Sequence, residues 1–234
     1  MKTLRTWTFN LIFYGGTLCL LMLTPFVLTM ARSSITVIAR RWGRWHRWCS
    51  RAIYGISSII EGTLPQHRCI VAIKHESFFE AIELLAQFEA PAVVLKQELA
   101  DLPLWGALAL AHGVIPVDRA TGSAALRRML SSAKIAMAQD RPIIIFPEGT
   151  RVAPGESPPL KPGLFGLYKL LNLPVVPVAI NSGRLWPKKG AKRSGTVTWA
   201  VGETIPPGLP RAQIEAQVHA AINRLNPAPH DPAR

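Results

Sequence analysis

The chain has 234 residues, of which 49% are hydrophobic, and it carries a formal net charge of +13 at pH 7. This length suits one α/β domain of about 170 to 200 residues with an additional segment. The mean hydropathy of +0.20 is high for a wholly soluble protein and indicates that some apolar surface contacts lipid.

The basic residues are unevenly distributed. Residues 1–60 contain eight of the 27 lysine and arginine residues and none of the 14 acidic ones. Basic charge beside an apolar segment favours an anionic membrane as the partner. The sequence has no zinc-finger spacing and no aromatic RNA-binding signature, so nucleic acid is not predicted as a partner.

The cysteines give no sign of a disulfide framework or a zinc site. Cys19, Cys49 and Cys69 are widely separated and form no CxxC motif. This pattern fits a protein on the reducing, cytoplasmic face of a membrane.

Residues 9–30 form an apolar run without a charged residue. A segment of about 20 such residues is long enough to span a bilayer. Gly15, Gly16 and Pro25 also allow a bent or re-entrant path. A cleaved signal peptide is the alternative, but the run is long and no small-x-small cleavage site clearly closes it.

The following segment predicts a basic amphipathic helix. On a helical wheel four arginines fall within roughly 60° of one another, and apolar residues gather on the opposite side within roughly 80°. The basic side holds Arg40, Arg44, Arg47 and Arg51, and the apolar side holds Ile35, Ile38, Trp42, Trp45, Cys49, Ile53 and Ile56. We expect this helix to lie in the membrane interface, with packing on the domain as the alternative. The arginine excess after the apolar run places the domain on the cytoplasmic side.

From about Glu61 short β-branched runs alternate with segments of helical periodicity. This alternation predicts an α/β domain over residues 61–225, with a mostly parallel sheet flanked by helices, behind an N-terminal membrane-binding segment at residues 1–60. Residues 226–234 are rich in proline and are expected to form a flexible tail. The predicted strands are Cys69–Ile73, Ala92–Leu95, Val114–Val117, Ile143–Phe146, Val175–Ile180 and Thr196–Val201.

A histidine follows the first predicted strand of this domain, where a helix begins. His75 is followed five residues later by Glu80. A carboxylate at this spacing can hold one ring N–H while the other ring nitrogen accepts a proton, which is the arrangement of a general base. The alternative is a structural histidine that caps the helix.

Other polar clusters also follow predicted strands and are expected at the same crevice. They can supply cations and backbone N–H groups for an oxyanion, and arginine can bind an oxyanion with two parallel hydrogen bonds. The substrate that these groups indicate is a phosphorylated or similarly anionic lipid. The residues are Lys96 after one strand, Arg119 after the next, and Glu148, Gly149, Thr150 and Arg151 after a third.

Four ordered motifs resemble those of the glycerolipid acyltransferases, in particular the bacterial enzymes that acylate 1-acyl-glycerol-3-phosphate. The resemblance covers about residues 60 to 205. The third of the four motifs, Phe-Pro-Glu-Gly-Thr-Arg, is highly specific for this family. The motifs are His75-x4-Glu80, Val117-Asp118-Arg119, Phe146–Arg151 and Val176–Ile180.

The resemblance implies that His75 deprotonates the 2-hydroxyl of 1-acyl-glycerol-3-phosphate, which attacks an acyl thioester directly to give phosphatidate. Glu80 would orient His75, and Lys96, Arg119 and residues 148–151 would bind the acceptor. The acyl donor would be acyl-CoA or acyl carrier protein. No metal and no cofactor is implied, and the location would be the cytoplasmic side of the bacterial inner membrane.

The first motif departs from the usual family pattern, which has Asn before the histidine and Asp at its end. Here these residues are Lys74 and Glu80. The departure leaves open another lysolipid, either a lyso-phospholipid or a lyso-aminolipid, as the acceptor. It also leaves open a catalytically silent, membrane-tethered lipid-binding module.

Overall fold

A computed structural model of the chain describes residues 2–118 and 122–226. Seven strands form one sheet in the order β1-β7-β6-β2-β5-β3-β4. The strands are β1 Ile56–Glu61, β2 Ile70–Ile73, β3 Ala92–Lys96, β4 Ile115–Val117, β5 Ile143–Ile145, β6 Val175–Ile180 and β7 Gly195–Val201.

The sheet is mostly parallel, as predicted, with one antiparallel pairing between β6 and β7. Because β1 pairs in parallel with β7, these two strands run opposite to the other five. Every predicted strand is present with ends within one residue of the prediction. The carboxyl ends of β2, β3, β4, β5 and β6 therefore meet at a single edge of the sheet.

Helices cover both faces of the sheet. Successive residues of β2 alternate between the two cores: Val71 and Ile73 join the cluster that contains Phe79, whereas Ile70 and Ala72 join the opposite cluster with Leu164. The helices are α1 Lys2–Phe9, α2 Gly15–Met22, α3 Thr24–Val27, α4 Arg32–Cys49, α5 Phe79–Gln87, α6 Gln97–Ala100, α7 Trp105–His112, α8 Gly122–Ala138, α9 Gly163–Leu171 and α10 Arg211–Ile222.

The N-terminal segment is helical but is divided into short pieces. A π-helical turn at Asn10–Tyr14 separates α1 from α2, and a break at Leu23 precedes α3. Among the residues that the structure describes, no helix is both long and apolar enough to cross a membrane.

The predicted amphipathic helix corresponds to α4 and to a π-helical turn at Ser50–Tyr54. Gly55 ends this turn in the left-handed conformation, with φ of 69°. Ile56, predicted on the apolar side of the helix, is instead the first, buried residue of β1. The sheet thus begins before the predicted boundary at residue 61.

Helix α4 packs on the domain through α5. Gly43 permits a close approach, because a Cβ atom there would lie 2.8 Å from the backbone nitrogen of Ala86. Arg47 Nε donates to Glu83 Oε1 at 2.7 Å, and the Glu83 side chain is fully buried. Arg47, one of the four arginines on the predicted basic side, is therefore paired within the protein, and a partner 36 residues away in sequence gives no local signal that would predict it.

Candidate active site

The site is built where β2 and β5 end side by side. These strands are parallel neighbours, with Ala72 in register with Ile145. The segment from Lys74 to Phe78 follows β2, and the Phe-Pro-Glu-Gly-Thr-Arg block begins directly after β5. A hydrogen bond from the His75 N–H to the Glu148 side chain joins the two motifs, although these residues lie 73 positions apart in sequence.

His75 and Glu80 form the pair that the sequence predicted. His75 Nδ1 lies 2.9 Å from Glu80 Oε1, and the histidine side chain is 17% exposed whereas the glutamate side chain is fully buried. Since a carboxylate only accepts hydrogen bonds, this contact places the proton of neutral His75 on Nδ1. The Nε2 atom then keeps its lone pair and can accept a proton.

The Glu80 carboxylate is held by three further donors. Its Oε1 accepts the backbone N–H groups of Glu76 at 2.7 Å and Ser77 at 2.6 Å, and its Oε2 accepts the Ser182 hydroxyl at 2.6 Å. Glu80 also lies in the first turn of α5, where the helix dipole favours a negative charge. These contacts fix the carboxylate that faces His75.

The His75 ring and backbone are fixed by the loop after β5. The ring stacks on Phe146 with 4.1 Å between centroids. The His75 N–H donates to Glu148 Oε2 at 3.1 Å, and its carbonyl accepts the Val152 N–H at 2.8 Å. Because Val152 directly follows Arg151, the backbone of Arg151 lies next to that of His75.

The predicted acceptor-binding residues differ in exposure. Gly149 is buried with φ of 71°, a conformation that favours glycine, and its N–H closes a turn onto the Phe146 carbonyl at 2.9 Å. Thr150 is exposed and Arg151 is half-buried, and Arg151 makes no hydrogen bond or ion pair with the described part of the chain. Lys96 is exposed at the end of β3.

Arg119 lies outside the described residues. Glu148, predicted to bind substrate, is 2% exposed. Its carboxylate accepts the His75 N–H and so holds the backbone of the histidine. Burial raises the pKa of Glu148, and the nearby Lys74 ammonium and the His75 N–H oppose that rise. A direct contact of Glu148 with substrate stays a prediction.

A second carboxyl group lies beside the pair. Glu76 is 4% exposed, and burial raises its pKa to about 7 even though its Oε2 accepts the Gly183 N–H at 2.9 Å. Glu76 makes no hydrogen bond to the His75 ring, so Glu80 is the partner that orients the imidazole. Ser77 Oγ accepts the Phe79 N–H at 3.1 Å and so satisfies one of the backbone N–H groups left free at the start of α5.

Sequence reasoning missed Ser182 and the support that it gives to Glu80. Ser182 lies 102 residues beyond its partner, just after β6, and nothing local marks it. Only the position of β6 beside β2 brings them together.

The residues that the structure describes include no group of three His, Cys, Asp or Glu side chains that could hold a metal ion.

Residues 55–181 match the family described as Acyltransferase. The chain belongs to this family. It is 32% identical to the 1-acyl-sn-glycerol-3-phosphate acyltransferase of Pseudomonas aeruginosa over 97% of this chain and 87% of that protein. It is also 32% identical to the human 1-acyl-sn-glycerol-3-phosphate acyltransferase beta, over 64% of this chain and 55% of that one.

The fold is that of a solved member of the same group. The crystal structure of the 1-acyl-sn-glycerophosphate acyltransferase PlsC from Thermotoga maritima superposes with a TM-score of 0.76, covering 96% of this chain and 95% of that one at 22% identity. Because it belongs to this family and has these relatives, the chain is an O-acyltransferase.

Proposed function

We propose that this acyltransferase transfers a fatty acyl chain from acyl-CoA or acyl carrier protein to the 2-hydroxyl of 1-acyl-glycerol-3-phosphate, giving phosphatidate. The observation that carries the proposal is the 2.9 Å contact between His75 Nδ1 and Glu80, beside the loop that holds Arg151. The names of the relatives support the choice of acceptor.

His75 acts as the general base. Its Nε2 takes the proton of the acceptor hydroxyl while the hydroxyl oxygen forms a bond to the thioester carbonyl carbon. The carbon–sulfur bond then breaks, and the leaving thiolate receives the proton from the imidazolium. Glu80 holds the Nδ1 proton throughout and stabilises the positive ring, because its buried carboxylate is already oriented. No acyl-enzyme forms, and Ser77 remains a capping residue.

The acceptor phosphate binds to Arg151 and the backbone around Gly149. The half-buried guanidinium of Arg151 can pair with two phosphate oxygens, and Gly149 lets the loop backbone approach them closely. Thr150, Lys96 and Arg119 complete the predicted set. These groups act on the acceptor, and the cations favour a phosphate monoester because it carries more negative charge than the phosphodiester of a lyso-phospholipid.

The N-terminal helices bind the cytoplasmic face of the bacterial inner membrane. Helices α1 to α3 and the π-helical turn at Asn10–Tyr14 expose large apolar side chains: Leu4, Trp7, Leu11, Leu18, Met22 and Phe26 are each at least 60% exposed. Such a patch, next to exposed Arg41, Arg44 and Arg51, matches an anionic lipid surface. Binding there brings the enzyme to its lipid acceptor.

The test is thiol release from acyl-CoA by the purified protein with a panel of acceptors. We expect release with 1-acyl-glycerol-3-phosphate and little with lyso-phospholipids that have a larger headgroup or with lyso-aminolipids. Equal release with water alone would indicate a thioesterase. Release that depends on another lysolipid would overturn the proposed acceptor, and no release with any acceptor would favour a silent binding module.

A further inference from the structure

Lys74, immediately before the catalytic histidine, is a fully buried cation. Its Nζ donates to the carbonyl oxygen of Glu156 at 2.8 Å and to Asn223 Oδ1 at 2.6 Å. It also lies 3.6 Å from Glu148 Oε1, and both of these side chains are at most 1% exposed. A buried ammonium group persists only where such partners replace its water.

These partners come from parts of the chain that are distant in sequence. Asn223 is the C-terminal cap residue of α10, and Glu156 belongs to the loop that follows Arg151. The contact between α10 and this loop is reinforced nearby, since Asn226 Nδ2 donates to the same Glu156 carbonyl at 3.3 Å. Lys74 is therefore the point at which β2, the loop and the last helix are joined.

The joined loop carries the acceptor-binding arginine. The Ala153 N–H donates to Glu156 Oε2 at 3.1 Å, so the carbonyl that Lys74 holds belongs to a compact turn directly after Arg151. The loop returns to the site where the Lys161 N–H donates to the Pro147 carbonyl at 2.8 Å. Fixing Glu156 thus fixes the backbone that places the Arg151 guanidinium.

We propose that Lys74 is a positioning residue for the acceptor site, which it sets by fastening the loop of Arg151 to the end of α10. The inference rests on the function proposed above. The usual residue at this position in the family is asparagine, which is shorter and neutral. It could not make the two hydrogen bonds that the Lys74 ammonium donates to Glu156 and Asn223. The arrangement makes α10, which carries no catalytic motif, part of the support of the acceptor site.

Two variants and one matched control test this role. Lys74→Met removes the charge and keeps all but the last atom of the side-chain length, whereas Asn223→Ala removes one partner and leaves the lysine. Arg141→Met is the control, because Arg141 is another buried cation that holds backbone carbonyls, those of Ala90 and Pro91, at the opposite edge of the sheet. Each protein is assayed for KM of acceptor and donor, kcat, and hydrogen exchange of residues 152–161.

Lys74→Met and Asn223→Ala should each raise the KM for 1-acyl-glycerol-3-phosphate by about tenfold or more, the effect of losing one charge-assisted hydrogen bond. The KM for acyl-CoA should stay within about twofold, because the contact acts on the acceptor loop. Exchange at residues 152–161 should accelerate in both variants and not in Arg141→Met.

An unchanged acceptor KM together with unchanged exchange at residues 152–161 would overturn the proposal. The proposal would also be overturned if Lys74→Met and Asn223→Ala lowered only the melting temperature, by the same amount as Arg141→Met. If the wild-type protein did not acylate 1-acyl-glycerol-3-phosphate, the proposed function would fail. The exchange comparison would still decide whether Lys74 orders the loop.

Discussion

Glu80 Oε1 lies 2.9 Å from His75 Nδ1, and the other oxygen of the same carboxylate accepts the Ser182 hydroxyl at 2.6 Å. With the two backbone N–H groups on Oε1, this buried carboxylate has four donors around it. Glutamate has one methylene more than the aspartate usual in the family. In this structure that length places the carboxylate where all four donors reach it.

Glu80→Asp should reduce kcat by about tenfold or more, because the shorter side chain cannot keep both the His75 and the Ser182 contacts. Glu80→Gln should cost about 100-fold or more, since a neutral amide does not stabilise the imidazolium. Steady-state kinetics with acyl-CoA and 1-acyl-glycerol-3-phosphate measure both. A gain of activity in Glu80→Asp would mean that the native pair is poorly aligned.

Arg47→Met should lower the free energy of unfolding by about 1 to 3 kcal/mol, because it leaves the buried Glu83 carboxylate without its cation. Arg44→Met, an exposed arginine on the same helix, is the matched control and should change stability by less than about 0.5 kcal/mol. Denaturant unfolding in detergent gives both values. Equal effects would show that the contact between Arg47 and Glu83 does not hold α4 to α5.

Replacing Trp7, Leu11 and Leu18 together with serine should weaken binding to anionic vesicles without lowering the melting temperature, since these side chains are 69%, 77% and 60% exposed. Ile135 and Leu170, on helices of the opposite face, are 55% and 52% exposed and provide the control pair. Vesicle sedimentation compares the variants. Equal loss of binding in both sets would mean that the apolar surface of α1, α2 and the π-helical turn between them is not the membrane-binding face.

Glu76→Gln should change the pH dependence of stability. Burial raises the pKa of Glu76 from 4.5 to about 7, so between these pH values the native state keeps a proton that the unfolded chain releases. The stability that this proton contributes is complete below pH 4.5 and is lost as the pH rises through about 7, by up to about 3 kcal/mol. Glutamine does not titrate.

The free energy of unfolding of Glu76→Gln, relative to wild type, should therefore increase from pH 4.5 to pH 8. Urea denaturation at the two pH values measures the difference. A relative stability that is the same at both would mean that Glu76 ionises normally in the folded protein.

Six of the seven strands could be predicted from the sequence because they are short β-branched runs with clear ends, whereas β1, Ile56–Glu61, was not predicted. The helical wheel assigned Ile56 to the amphipathic helix and not to β1. The helical segment and β1 both contain isoleucine, and only Gly55 separates them. His75 and Glu80 were predictable because their spacing is local. Ser182 and Asn223 were not, because they reach the site only through the order of strands and the docking of α10.

The most direct test of the account is the acylation rate of His75→Ala with acyl-CoA and 1-acyl-glycerol-3-phosphate, on protein shown by its melting temperature to be folded. The account predicts a loss of at least about 100-fold in kcat, because no other described group takes the proton of the acceptor hydroxyl. A His75→Ala enzyme that kept a tenth or more of the wild-type kcat would contradict it.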